Sequence, residues 1–232
     1  MLDARQAVEF CRSDPNAVVA TVWPTARSEA NAARGALLAS GARLVHERTV
    51  AVARRGAVPA CMALYHGEDW IHTNCWYDES PLPEGPPEGP FAGAKWKAAL
   101  TWRQDAPLTV FVLDAERARG ALWRDKYGIR ESLRQAVGGL GNACLHLTDD
   151  QSEALEAARS GGRGARGGGG YACDSSFANH CARVLLDETS VAFLNAADVA
   201  SPQFAARFEE YTAWLESTRD GGDCGGAPVW PS

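Results

Sequence analysis

His146 is the residue with the most chemical context in the chain. It lies in GNACLHLTDDQ, at the end of a short apolar run and two residues before Thr148. Thr148, Asp149, Asp150 and Gln151 have the form of a capping box with an acidic first turn, so a helix is expected to open there. The backbone N–H groups and positive end of that helix would point near the imidazole. Such a place favours phosphate. It also disfavours the imidazolium, which keeps a ring lone pair available at neutral pH. A neutral imidazole so placed can attack a phosphoryl group and become phosphohistidine. Taken alone, the same residues also read as a strand end followed by a helix cap. The order of the surrounding elements has to choose between the two.

The other chemically capable groups are less organised. His72 and Cys75 with Cys61, or Cys173 with His180 and Cys181, are candidate zinc ligands, but neither set has the paired C-x₂-C pattern of common zinc modules. His180 and Cys181 are adjacent on an expected helix and would point in different directions. Asp114 follows the strand LTVFVL and reads better as a cap for the next helix than as a metal ligand. No G-x₄-G-K-[ST] loop occurs, and no G-x-G-x-x-G follows a strand.

Several elements must position these groups. Residues 3–12 form a helix in this reading, with Asp3 and Gln6 as a capping box and Ala4, Ala7, Val8 and Cys11 on one face. Ala17–Trp23 is the first strand, stopped by Pro24. Ser28 caps a helix through Ala39, ended by Gly41. Arg43–Ala53 is a second strand, with Val45 and Thr49 on one face and Leu44, Val50 and Val52 on the other. Val58–Tyr65 is a short helix or strand. Leu108–Leu113 is a buried strand, Glu116–Arg124 a helix, Tyr127–Val137 a mixed segment with a basic edge and Ala143–His146 a short strand. A helix then runs from Thr148 to Ser160. Asp174 or Ser175 caps a helix presenting Phe177, Cys181, Val184 and Leu185. Ser201-Pro202 starts another with Phe204, Phe208, Tyr211 and Leu215 at helical spacing.

Composition bounds the function. The chain has 232 residues, enough for one large domain or two small ones, and is 46% hydrophobic and 22% charged. Its 23 basic against 29 acidic residues give a net charge of −6, which argues against nucleic acid as a partner. No run of about 18 apolar residues is present, so no membrane span is expected. The start, MLDARQAVEFCRSD, lacks the apolar region of a signal peptide. Seven cysteines at scattered spacing fit a reduced, cytoplasmic protein better than a secreted disulfide scaffold. Residues 81–90 hold five prolines, and Trp70, Trp76, Trp96 and Trp102 cluster around them, the mark of a stiff surface excursion. GGRGARGGGG at 161–170 reads as a linker.

The order of these pieces supplies the missing context. PLTVFVLDAERARGALWR, then YGIR, then VGGLGNACLHLTDDQSEALEAAR resembles the second half of the nucleoside diphosphate kinases, where N-x-x-H-G-S-D opens a helix. NAVVATVWPTA, a helix and GARLVHERTVAV resemble the family's first strand, helix and second strand. The resemblance covers residues 16–53 and 107–160. It implies that His146 is a nucleophile passing a phosphoryl group between nucleotides, with Mg²⁺ and ATP or another nucleotide. It gives Thr148 the role of the family's Ser, Arg130 and Arg124 phosphate contacts, Asn142 a ribose contact and Tyr65, in LYHG, the place of an active-site Tyr. Trp23 stands where the family's catalytic Lys would fall, and Leu147 where it has Gly. Asn142 lies four residues before the His instead of three, and Ala157, with Glu156 beside it, falls where the family has a supporting carboxylate. Lys95 or Lys97, in GAKWK, would be the replacement cation.

The expected fold is therefore α/β, with a ferredoxin-like antiparallel sheet of about four strands, helices on one face and a helical C-terminal extension. Residues 1–160 form the kinase-like domain with an insertion at 57–104, followed by the 161–170 linker, a helical extension at 171–219 and a tail at 220–232. The expected function is nucleotide-binding phosphotransfer through phosphohistidine in a homo-oligomer. The alternative is a catalytically inactive kinase-like module working through protein partners in a larger assembly, with 70–102 as the interface.

Overall fold

The computed structural model describes residues 1–66, 71, 87–138, 143–148 and 175–218. The expected helix at 149–160, the 161–170 linker, most of the proline-rich excursion and the tail lie outside the described residues.

A four-stranded antiparallel sheet organises the chain. Its strands are β1 (Ala17–Val22), β2 (Arg43–Val50), β3 (Leu108–Asp114) and β4 (Leu145–Leu147), in the spatial order β2-β3-β1-β4. Strands β1 and β2 are therefore separated by β3, and β4 pairs back on β1. β1 and β3 are buried on both faces, which explains their near-continuous apolar runs AVVATV and LTVFVL.

Helices cover both faces. On the first face, α2 (Ala30–Ala39) and α5 (Arg119–Val137) pack Ala33, Leu37, Leu122, Ile129 and Leu133 against Val18, Ala20, Val22, Phe111, Leu113, Leu145 and Leu147. On the second, α1 (Ala4–Ser13), α3 (Ala57–Leu64), α4 (Ala92–Thr101), α6 (Ser175–Leu186), α7 (Glu188–Ala196) and α8 (Phe204–Ser217) enclose the larger core with Val19, Val50, Leu108, Val110 and Val112. The C-terminal helices pack around the sheet, and with the helices of the insertion they form its second layer.

Local signals explain most elements. The Asp3–Gln6 capping box forms as expected, with Gln6 N–H donating to Asp3 Oδ1 at 2.8 Å and Asp3 N–H to Gln6 Oε1 at 3.0 Å. Gly41 leaves α2 at φ +97°. Ser28 caps nothing, because a 3₁₀ turn over Pro24–Glu29 precedes α2. The second strand ends at Val50. A bulge between Leu44 and His46 shifts its phase, so Val45 joins Val50 and Val52 on one side while Leu44 packs on the other. The segments expected as a helix and a mixed stretch are one 19-residue helix, α5. Its apolar positions 122, 129 and 133 share one stripe, and that burial outweighs the propensity cost of Gly128. α7 escaped the sequence reading, although Asp187 caps it by accepting from the N–H groups of Thr189 and Ser190. Among the described residues no helix is long and apolar enough to cross a membrane.

The turn before α3 brings Gly56 close to the backbone of α7. A Cβ on Gly56 would stand 2.6 Å from the Leu194 carbonyl oxygen of α7, whereas Gly35, in α2, has nothing within 4 Å. Gly56→Ala is expected to lower unfolding stability by about 1–3 kcal/mol, as overpacking does. Gly35→Ala is expected to raise it by up to about 1 kcal/mol. Urea unfolding of both variants checks the pair.

Candidate functional site

β4 carries His146 with Leu145 and Leu147 on either side. The two leucines enter the first core, so the imidazole faces the second, where it is 7% exposed. Its direct cross-strand partner is Thr21 on β1. Trp23, two residues further along β1, has its ring centroid 6.3 Å from that of His146. β4 has only three residues, yet it is held at both ends. Trp23 N–H donates to Cys144 O at 3.0 Å, and Thr148 N–H donates to Val19 O at 2.9 Å.

Three helices deliver side chains to His146. α3 ends just before Tyr65, whose hydroxyl lies 3.1 Å from His146 Nδ1 with the two rings edge to face. α6 brings Phe177, edge-on at 6.0 Å between ring centroids. α4 brings Lys97, whose Nζ lies 5.7 Å from the centroid of Trp23 and 5.8 Å from that of Tyr65, within cation–π range of both. Phe91, in the left-handed region at φ 59°, opens α4 and packs edge-on against Phe204. Lys95 is two residues from Lys97 and so on the far side of the helix, where its Nζ donates to Glu88 O.

Electrostatics single out Lys97. Burial lowers its pKa from 10.5 to about 8, and the nearby Arg130 lowers it further, against opposing effects from Cys61 and Cys144. The Cys61 thiol is pushed up to about 12 by burial, so it stays protonated. Arg130 reaches the open edge of β4 from α5. Its Nε donates to Leu145 O at 3.0 Å, and its guanidinium lies over the Tyr127 ring at 5.9 Å.

The structure brings together His146, Tyr65 and, at the strand edge, Arg130. Thr148 and Arg124 are engaged elsewhere. Thr148 Oγ1 accepts from Val19 N–H at 2.9 Å, so this hydroxyl is spent on extending the sheet. Arg124 is exposed and lines a groove of about 470 Å³ between α2 and α5, on the opposite side of the sheet from the His146 ring. Asn142, Asp149, Glu156 and Ala157 lie outside the described residues. Trp23, entered in the sequence only as a missing lysine, is a wall of the site. Phe177 was legible as part of an apolar helical face, but nothing in the sequence connected that face to His146.

Of the candidate zinc ligands, His72, Cys75 and Cys173 lie outside the described residues. Cys11 and Cys61 are free, buried thiols. His180 Nε2 lies 2.7 Å from Ala63 O, and burial lowers its pKa to about 4, so it serves as a neutral donor to the end of α3. Among the described residues no group of three His, Cys, Asp or Glu side chains is arranged to hold a metal. Around His146 the donor set is an ammonium, a guanidinium, a hydroxyl and an indole, which suits anions and not a divalent cation. Asp114 pairs with Arg43 at 2.7 Å and accepts from Glu116 N–H, as a cap.

No family model matches the chain, and no curated protein matches it.

Lys97 makes stability pH-dependent in a definite sense. Between about pH 8 and 10.5 the unfolded chain holds this proton and the folded protein does not, so folding gains as pH rises through that window. Lys97→Met lacks the effect. The variant is expected to be more stable than the native protein at pH 7, with its advantage shrinking toward pH 10. Urea midpoints at pH 7, 8.5 and 10 check this; parallel curves would contradict it.

Proposed function

We propose that the protein is a phosphotransferase that carries a phosphoryl group on His146 and takes it from a nucleotide. The observation that carries this reading is a buried imidazole held by the Tyr65 hydroxyl, with the Lys97 ammonium over the rings of its neighbours Tyr65 and Trp23. The Tyr65 hydroxyl at Nδ1 fixes the ring plane. When Nδ1 carries the proton and the Tyr65 oxygen accepts it, the ring lone pair sits on Nε2. That lone pair attacks the terminal phosphorus, the bond to the bridging oxygen breaks, and the nucleoside diphosphate leaves with the electron pair. The second half runs in reverse, with an oxygen of an acceptor diphosphate attacking the phosphohistidine. Lys97 and Arg130 supply positive charge where the phosphoryl oxygens gain negative charge.

The strand order β2-β3-β1-β4, with each crossover skipping a strand, supports a ferredoxin-like arrangement, the one that the resemblance to nucleoside diphosphate kinases implies. Lys97, from α4, would take over the charge lost at Trp23. Mg²⁺ in this reading belongs to the nucleotide. It would arrive with the phosphates and neutralise part of their charge, since among the described residues no group of three His, Cys, Asp or Glu side chains is arranged to hold it.

A second reading has one observation in its favour. Thr148 and Trp23 are committed to sheet and core, as in a module that binds nucleotide or a protein partner, through 70–102, without turnover.

Incubation with γ-³²P-ATP and Mg²⁺ separates the two. An acid-labile, base-stable label that is lost in His146→Ala is the expected result, with labelling of Lys97→Met reduced about 10²–10³-fold. No label, with ATP still raising the melting temperature, would favour the binding module. No label and no shift would overturn both nucleotide readings.

A further inference from the structure

Two buried polar groups beside His146 have no hydrogen-bond partner among the described residues. Trp23 Nε1 and Thr21 Oγ1 are unmatched, although both residues are 0% exposed. The contrast with Trp102 is informative. Its ring lies 5.2 Å from that of Trp23 in the same core, yet its Nε1 donates to Val52 O at 3.1 Å. Buried donors in folded proteins are almost always matched, and an unmatched one usually marks a ligand, a water or stored strain.

Placement argues for a ligand. Thr21 is the cross-strand partner of His146, so both side chains leave the sheet on the same face. Trp23 follows at the next position on that face, and the Lys97 ammonium lies over its ring. An indole N–H and an ammonium only donate, and a hydroxyl can donate as well. The permanently charged groups acting here are basic among the described residues. Arg103, Lys97 and Arg134 all act on Cys144, just ahead of β4, and Arg130 acts on Lys97, in a chain of net charge −6. A cluster of donors beside basic groups fits a ligand that only accepts, a tetrahedral oxyanion.

We propose that Trp23 Nε1, Thr21 Oγ1 and Lys97 Nζ form an oxyanion pocket beside His146 whose ligand is a phosphate group of a nucleotide or another phosphate ester. The proposal rests on the reading of His146 as a phosphoryl site and names the groups that hold the phosphoryl oxygens there. Trp23 thereby acquires a role as a neutral donor in apolar surroundings, where a hydrogen bond to an anion is strong. It is not merely a lost lysine.

The test is calorimetric titration of the full chain with pyrophosphate. Native protein is compared with Trp23→Phe, which keeps an aromatic ring and loses the N–H, with Thr21→Val, which keeps the shape and loses the hydroxyl, and with Lys97→Met. Trp23→Phe and Thr21→Val are each expected to weaken binding about tenfold, the loss of one hydrogen bond to a charged group. Their unfolding midpoints should be unchanged or raised, because an unmatched polar group has been removed. Lys97→Met should weaken binding further. Pyrophosphate binding that is equal in native protein, Trp23→Phe and Thr21→Val would overturn the proposal. So would no binding to the native protein, which would leave these groups to a buried water. Thr21→Val decides the matter if Trp23→Phe does not fold. His146→Ala separates this proposal from the reading it rests on. Donor-dependent pyrophosphate binding without ³²P labelling of native protein refutes phosphotransfer alone, whereas labelling of His146 with no dependence on Thr21 or Trp23 refutes the pocket alone.

Discussion

The pairing of β4 with β1 is the constraint on which the rest depends. Only three residues of β4 sit in the ladder, and they place His146 directly opposite Thr21. The pairing is clamped beyond its ends by Trp23 N–H to Cys144 O and by two hydrogen bonds between Val19 and Thr148, one from the Thr148 N–H to the Val19 carbonyl and one from the Val19 N–H to the Thr148 hydroxyl. A slip of one residue would bury the imidazole among Leu37, Leu122 and Leu133 and send Leu145 or Leu147 toward Tyr65. The register is thus held by the leucines as much as by the hydrogen bonds. Thr148 holds that register through its hydroxyl and its backbone N–H.

The second face of the sheet turns that position into a site. One face of the four-stranded antiparallel sheet is covered by α2 and α5. The insertion and the C-terminal helices add a second layer, and from it come Tyr65, Lys97 and Phe177. Burying an ammonium among aromatic rings and thiols has a cost, visible in the lowered pKa of Lys97. Groups whose burial is unfavourable, gathered at one point of an otherwise apolar core, are the pattern expected where a fold gives up stability for binding or catalysis.

The legible part of the fold was local. The Asp3–Gln6 box, the strands AVVATV and LTVFVL and the end of α2 at Gly41 follow from patterns only a few residues long. What was not legible depended on tertiary partners. The bulge at Leu44 and His46 scrambled the alternation of β2. The continuity of α5 past Gly128 came from a stripe seven and eleven residues apart, which outweighed a local breaker. At the site, His146 and Tyr65 stood out by type and context. Lys97 did not, because nothing within GAKWK distinguishes the lysine that faces the core from Lys95, which faces away, until the helix phase is known. Trp23 read as a loss because its position was compared with a lysine. Its place in the core, with an unmatched indole N–H, is a property of three dimensions only.

The most direct test of the central claim is ³¹P NMR of ¹⁵N-histidine-labelled protein, incubated with ATP and Mg²⁺ and then held at alkaline pH. The account predicts one phosphoramidate resonance coupled to a single ring nitrogen and absent from His146→Gln. A phosphoramidate that persists in His146→Gln, or none in native protein that binds ATP, would contradict it.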